Sequence, residues 1–163
     1  MAADRPSFNG RVDNSLDDKG RLVVPVRFRP GLGANFYLTV GLPDPCLALY
    51  PKSTWEENLR SLAESKKKGP NFREYVRFVF AHTDEAACDS QGRLLLPPAL
   101  RAYAEIDKDI VTNGNNTRVE IWSRALFEQH VLPVPEKLAA RLAAQREAEP
   151  NAALDIVEEL DLL

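Results

Sequence analysis

The chain has 163 residues, 44% of them apolar and 28% charged, the balance of a soluble globular protein with one ordinary domain or two very small ones. No apolar run approaches the roughly 18 residues that cross a bilayer, and the polar start MAADRPSFNG lacks the apolar core of a secretory signal, so a cytoplasmic protein is expected. A net charge of −3 does not announce a nucleic-acid partner, and two cysteines without CxxC spacing argue against a disulfide framework or a zinc site.

The charge is unevenly spread. Residues 1–30 carry six basic side chains (Arg5, Arg11, Lys19, Arg21, Arg27 and Arg29) against four acids, whereas residues 131–163 carry seven acids against three bases. An acidic end thus hides a locally basic front, and the total does not exclude nucleic acid.

Along the chain, VDNSLDDKGRLVVP reads as an extended segment, a polar turn centred on Lys19 and Gly20, and an apolar strand. Glycine there permits the positive φ of a hairpin with a G1-type bulge. Pro25 ends ladder pairing and suits the first turn of a short helix, which Gly31 and Gly33 then break. Strands NFYLTV and LALY follow, joined by the turn GLPDPC. KSTWEENLRSLAES predicts a helix with Ser53 or Thr54 as its N-cap, Glu56 and Glu57 in its first turn, and Trp55, Leu59 and Leu62 at helical spacing. The run Lys66–Lys68 with Gly69 and Pro70 reads as a solvated loop. NFREYVRFVF places Phe72, Tyr75, Val76, Val79 and Phe80 on one helix face, a stripe expected to be core and to bridge the segments on either side. Cys46 and Cys88 are expected to be buried thiols.

The second half repeats the first. CDSQGRLLLP aligns with LDDKGRLVVP 72 positions earlier, matching Asp89 to Asp17, Gly92 to Gly20, Arg93 to Arg21 and Pro97 to Pro25. Leu100 matches Phe28, Arg101 matches Arg29, Trp122 matches Tyr50 and Phe127 matches Trp55. The strands FYLTVG and DIVTNG align after a one-residue slip, and DIVTN joins RVEIW through GNN. Each copy spells strand, tight turn, strand, short helix, strand, strand, helix. The organisation read from this is a first repeat at 10–60, a linking helix at 61–82, a second repeat at 83–132 and an acidic, partly helical extension at 133–163 carrying Leu138 and Leu142. One such strand pair is too small to be stable by itself, so the copies should interlock around a shared core.

An acid four residues before an arginine across a tight turn has a physical use. Asp17 can accept from the Arg21 guanidinium or from turn amides and fix the side chain's direction, and Asp89 can do the same for Arg93. A pre-aimed arginine suits phosphate, or guanine, whose O6 and N7 accept a bidentate pair in the major groove. Lys19 adds a point charge. Gln91 replaces it in the second copy and can hydrogen-bond a base edge without charge, so the second turn should bind less strongly. The plain alternative is that both arginines only pin their turns to the core.

The sequence resembles the MraZ family of bacterial transcriptional regulators, built from two tandem AbrB-like swapped-hairpin units. The likeness rests on DDKGRLVVPVRFR, FYLT, LALYPKSTWEE and DSQGRLLLPPALRAYAEIDKDIVTNGNNTRVEIWSRALFE, nearly the whole of residues 10–130. It implies an α+β fold with a mainly β core, a pseudo-two-fold β-barrel with short flanking helices. It also implies a regulator of the division and cell-wall gene cluster that binds short G-rich repeats of double-stranded DNA in its own promoter, assembles as a ring-like homo-oligomer and is nucleoid-associated. The DNA-contacting positions would be Lys19, Gly20 and Arg21, with Gln91, Gly92 and Arg93 from the second copy. Asp17 and Asp89 would orient the arginines.

An enzyme is not expected. The two histidines, His82 at a helix end and His130 on a helix face, stand in no metal spacing, and there is no P-loop, GxGxxG or GxSxG. No cofactor, metal or small-molecule substrate is implied. The rival reading is an AbrB-like antitoxin or oligomeric protein-interaction module that grips a partner through its acidic tail.

Overall fold

The computed structural model describes residues 5–66 and 69–148. The first copy runs β1 (Arg11–Ser15), a tight turn, β2 (Arg21–Val23), a 3-10 turn (Val26–Phe28) leading into α1 (Arg29–Leu32), then β3 (Phe36–Val40), β4 (Leu47–Pro51) and α2 (Lys52–Glu64). After α3 (Pro70–Ala81), the second copy runs β5 (Asp84–Ala86), β6 (Arg93–Leu95), α4 (Pro98–Tyr103), β7 (Asp109–Asn115), β8 (Arg118–Ser123) and α5 (Arg124–His130). Helix α6 (Glu136–Ala148) lies in a separate unit beginning at Glu128, with Leu138 and Leu142 half-covered. The acidic segment that follows it, residues 149–163, falls outside the described residues.

The strands leaving each turn part company. β1 pairs antiparallel with β7 of the other copy, and β5 pairs antiparallel with β3 of the first. β4 and β8 join the copies at the centre, giving one six-stranded antiparallel sheet in the order β1-β7-β8-β4-β3-β5. β2 and β6 pair only with each other, as a two-stranded ribbon. Each copy therefore completes the other's sheet, a swapped arrangement of two tandem units. The expected barrel is not a closed ladder: β1 and β5 are sheet edges. Pro25 and Pro97 follow β2 and β6 and lack the N–H that a longer ladder would need.

The register corrects one alignment. Phe36 faces Pro51 and Ile110 faces Ser123; Pro51 and Ser123 stand 72 positions apart, Phe36 and Ile110 stand 74 apart. The slip between the two strands is two residues. A slip of one would have matched buried Phe36 to exposed Asp109, since side chains alternate faces along a strand.

The core draws on both copies. Leu22, Val24 and Phe28 pack with Leu94, Leu96 and Leu100, over Phe36, Leu38, Leu47, Leu49, Ile110, Val119 and Ile121. A smaller cluster holds Cys46, Val111, Trp122 and Phe127. Buried Glu120 accepts from Arg118 (Nε at 2.9 Å), Asn115 (3.1 Å) and the Trp122 indole (3.1 Å), and Arg118 reaches across to the Tyr50 hydroxyl at 3.0 Å. That bond ties β8 to β4 by a charged group whose partners are satisfied.

Several local expectations change. α2 begins at Lys52 with Pro51 as its N-cap, and Thr54 is buried, so neither Ser53 nor Thr54 caps it. α3 forms where its periodicity put it, but its stripe is only part-covered: Phe72, Val76 and Val79 are half-buried, Val79 against the core, while Tyr75 is 62% exposed and Phe80 is open. It still touches both copies, Phe80 against Trp55 and Phe78 against Tyr103. Cys46 is buried, whereas Cys88 is only half-buried. His130 closes α5 rather than lying mid-face, and His82 caps α3 with its ring against Phe78.

Leu22 and Leu94 face each other across the ribbon and are both buried. Leu22→Ala or Leu94→Ala should each cost about 2–5 kcal/mol in urea unfolding. Because one core serves both copies, single-tryptophan variants retaining Trp55 or Trp122 should report the same midpoint. Separate midpoints would show that the copies fold independently.

Candidate nucleic-acid interface

The first turn is closed by the N–H of Gly20 donating to the Asp17 carbonyl at 3.0 Å and that of Asp17 donating to the Arg21 carbonyl at 2.9 Å. Gly20 sits at φ +76°, left-handed backbone that L side chains rarely adopt. Within this frame the Asp17 carboxylate has three donors. Its Oδ1 accepts from the N–H groups of Lys19 and Arg21, each at 2.9 Å, and its Oδ2 accepts from Arg21 Nε at 2.7 Å.

The second turn repeats this almost atom for atom. Gly92 lies at φ +77°. Asp89 Oδ1 accepts from Gln91 and Arg93 N–H at 2.9 Å each, and Oδ2 accepts from Arg93 Nε at 2.7 Å. In each case the clamp uses one of the guanidinium's five N–H donors, leaving the bidentate fork for another acceptor. The Arg21 backbone N–H, more than any other group, holds the Asp17 carboxyl below its usual range; desolvation works against it, while the Arg21 side chain and Lys19 N–H add to it. Arg93 and Gln91 do the same for Asp89.

The two turns are also built into each other. The Gly92 carbonyl accepts the Val24 N–H at 2.9 Å, and the Gly20 carbonyl accepts the Leu96 N–H at 3.0 Å. Arg101 lays its guanidinium carbon 3.0 Å from where a Cβ on Gly20 would stand, and Arg29 fills the corresponding place at Gly92. Both are held from behind, Arg29 Nε on the Val24 carbonyl at 2.8 Å and Arg101 Nε on the Leu96 carbonyl at 3.1 Å. These two arginines belong to the site although no role was read for them in the sequence. Their signal was there, since Arg29 and Arg101 match in the repeat, but the partner turn they cover is distant in sequence.

The ribbon connects the turns. Leu22 and Leu94 point inward, so Arg21, Val23, Arg93 and Leu95 share the outer face, with Arg21 opposite Leu95 and Val23 opposite Arg93. Lys19 and Gln91 stand exposed at equivalent tips. The structure thus brings Asp17, Lys19, Gly20 and Arg21 together in one turn and Asp89, Gln91, Gly92 and Arg93 in the other. Among the described residues no three His, Cys, Asp or Glu side chains group to hold a metal ion, and no helix is long and apolar enough to cross a membrane.

Comparison with known proteins gives a consistent picture. The family described as "MraZ protein, putative antitoxin-like" matches twice in tandem, at residues 8–76 and 79–147. A protein of Moorella thermoacetica named "Transcriptional regulator MraZ" is 47% identical over 126 residues, 76% of this chain and 85% of the relative. Proteins of the same name are similar at 48% identity over 126 residues in Desulfitobacterium hafniense (76% and 85% covered) and 45% over 127 residues in Pediococcus pentosaceus (76% and 86% covered).

Two outcomes follow for the turns. A carboxyl whose folded pKa lies below its unfolded one contributes stability that is complete above roughly pH 4 and is lost as pH falls through the folded value. The denaturation midpoint should therefore fall with pH below about 4 more steeply in the parent than in Asp17→Asn with Asp89→Asn; parallel curves would deny the clamp its role. Gly92→Ala must displace Arg29 and strain a left-handed residue. It should destabilise clearly more than Gly69→Ala, at an open position with ordinary extended backbone, by thermal melting.

Proposed function

The chain belongs to the MraZ family, and from that premise we propose that it is a sequence-specific DNA-binding transcriptional regulator that reads DNA with its two Gly-Arg turns. The observation that carries this reading is the pair of arginines, Arg21 and Arg93, each aimed by its own aspartate and presented on one two-stranded ribbon. Such a ribbon fits the major groove, and an oriented guanidinium fork matches guanine O6 and N7. Short G-rich repeats in the protein's own promoter, ahead of the division and cell-wall gene cluster, are the targets proposed. Lys19 contributes a phosphate contact and Gln91 an uncharged one, while Gly20 and Gly92, expected from the sequence to touch DNA, are buried under Arg101 and Arg29 and serve to shape the turns. Arg29 and Arg101, lying over these glycines, are placed to add cationic charge at the same surface.

One chain brings few cations, so its binding is weak at physiological salt. We propose that a ring-like homo-oligomer aligns several chains on tandem sites and turns weak contacts into avidity. The open aromatic face of α3 supports a subunit contact. This is a cytoplasmic, nucleoid-associated, non-enzymatic role needing no cofactor. The rival reading as a toxin-binding module depends on the acidic tail, which lies outside the described residues.

Fluorescence anisotropy with the DNA upstream of the protein's gene tests the proposal. Binding should prefer that sequence, weaken steeply with salt, and lose about 1–3 kcal/mol per contact in Arg21→Ala, with a smaller loss in Arg93→Ala. Affinity should rise steeply with the number of tandem sites. Binding indifferent to both arginines would assign the turns to folding alone.

A further inference from the structure

The outer face of the ribbon is not wholly polar. Val23 is 45% exposed and Leu95 57% exposed, although β2 and β6 each have an inward residue that is fully covered. Single exposed apolar side chains are ordinary on protein surfaces. These two are not scattered. They occupy equivalent positions of the repeat, each two residues after a clamped arginine, and each stands directly across the ribbon from the other copy's arginine. The result is a checkerboard of Arg21 beside Leu95 and Val23 beside Arg93.

The dimensions suit base edges. Residues two apart on a strand are about 7 Å apart along it, close to two base steps of about 3.4 Å each. Directly paired residues lie about 5 Å apart across the ribbon. If an arginine engages a guanine, the neighbouring Val or Leu meets a base one or two steps away. In the major groove the apolar feature available there is the C5-methyl group of thymine.

We propose that Val23 and Leu95 are specificity-determining residues that pack on thymine methyl groups flanking the guanines read by Arg21 and Arg93. The inference rests on the DNA-binding reading above and deepens it: the preferred site pairs guanine with a neighbouring thymine on a defined side. The turns' charges give affinity, and the two aliphatic side chains discriminate thymine from cytosine, which offers an amino group and no methyl.

The test is anisotropy with two versions of the upstream DNA, one natural and one with deoxyuridine for thymine, which keeps the pairing edge and removes only the methyl. The parent should bind the deoxyuridine version about four-fold more weakly for each contacted methyl. Val23→Ser and Leu95→Ser together should bind the two versions equally, with Arg21 still required and with unchanged assembly size by native mass spectrometry. Three results would overturn the inference: equal binding of both DNAs by the parent, discrimination undiminished in the serine variant, or a changed assembly size that assigns the two residues to subunit contacts. If the parent shows no Arg21-dependent binding to natural DNA, the DNA-binding reading itself fails, and this inference goes with it. Arg21-dependent binding that ignores the methyl removes only the inference.

Discussion

Two hydrogen bonds between the copies, Val24 N–H to the Gly92 carbonyl and Leu96 N–H to the Gly20 carbonyl, lock the two turns into each other. Each fastens the end of one copy's strand to the other copy's turn. Around them the short ribbon β2–β6 closes, Leu22 meets Leu94, and Arg29 and Arg101 cover the glycines. Positive φ favours glycine at both positions, and a Cβ on Gly92 would in addition push the Arg29 guanidinium aside. Neither copy has this geometry alone, because each turn is finished by residues from the other.

That constraint also places the chemistry. The bonds that hold the fold leave the turn tips outward, and the aspartate clamp works locally, within five residues of each tip. Fold and site are thereby separable: the backbone and the apolar positions hold the two turns at fixed relative places, while Asp17 and Asp89 set the direction of each guanidinium. Pre-aiming an arginine removes conformational freedom before any partner arrives, which lowers the entropy lost on binding. The exchange of Lys19 for Gln91 is matched by that of Asp18 for Ser90, so the two turns keep the same net charge and nearly identical geometry while differing in the charged groups at their tips.

Much of this was legible in the sequence, because the signals were local and repeated. Asp, Gly, Arg and Pro at fixed spacing specify a turn, a strand and its end, and duplication revealed two interlocking units. What was hidden is long-range. The strand slip of two residues follows from which face of β3 and β7 meets the core, and only pairing reveals it. Arg29 and Arg101 were visible as a matched pair, but their work is done on glycines of the opposite copy. The α3 stripe was a sound helix signal and only a partial burial signal: Phe72, Val76 and Val79 are half-covered, whereas Tyr75 and Phe80 on the same face stay open, because periodicity reports one apolar face, not how far the chain covers it.

The central claim is that the two aspartate-aimed arginines read guanine. Methylation interference at guanine N7 on the upstream DNA tests it most directly, since a methyl on N7 blocks one of the two acceptors that the guanidinium fork requires. The account predicts that methylation at a few spaced guanines abolishes binding by the parent. It also predicts that the subset of those positions read by Arg21 loses its effect, at reduced affinity, in Arg21→Ala, while the subset read by Arg93 keeps it. Interference spread evenly over all guanines, or an identical pattern with and without Arg21, would contradict it.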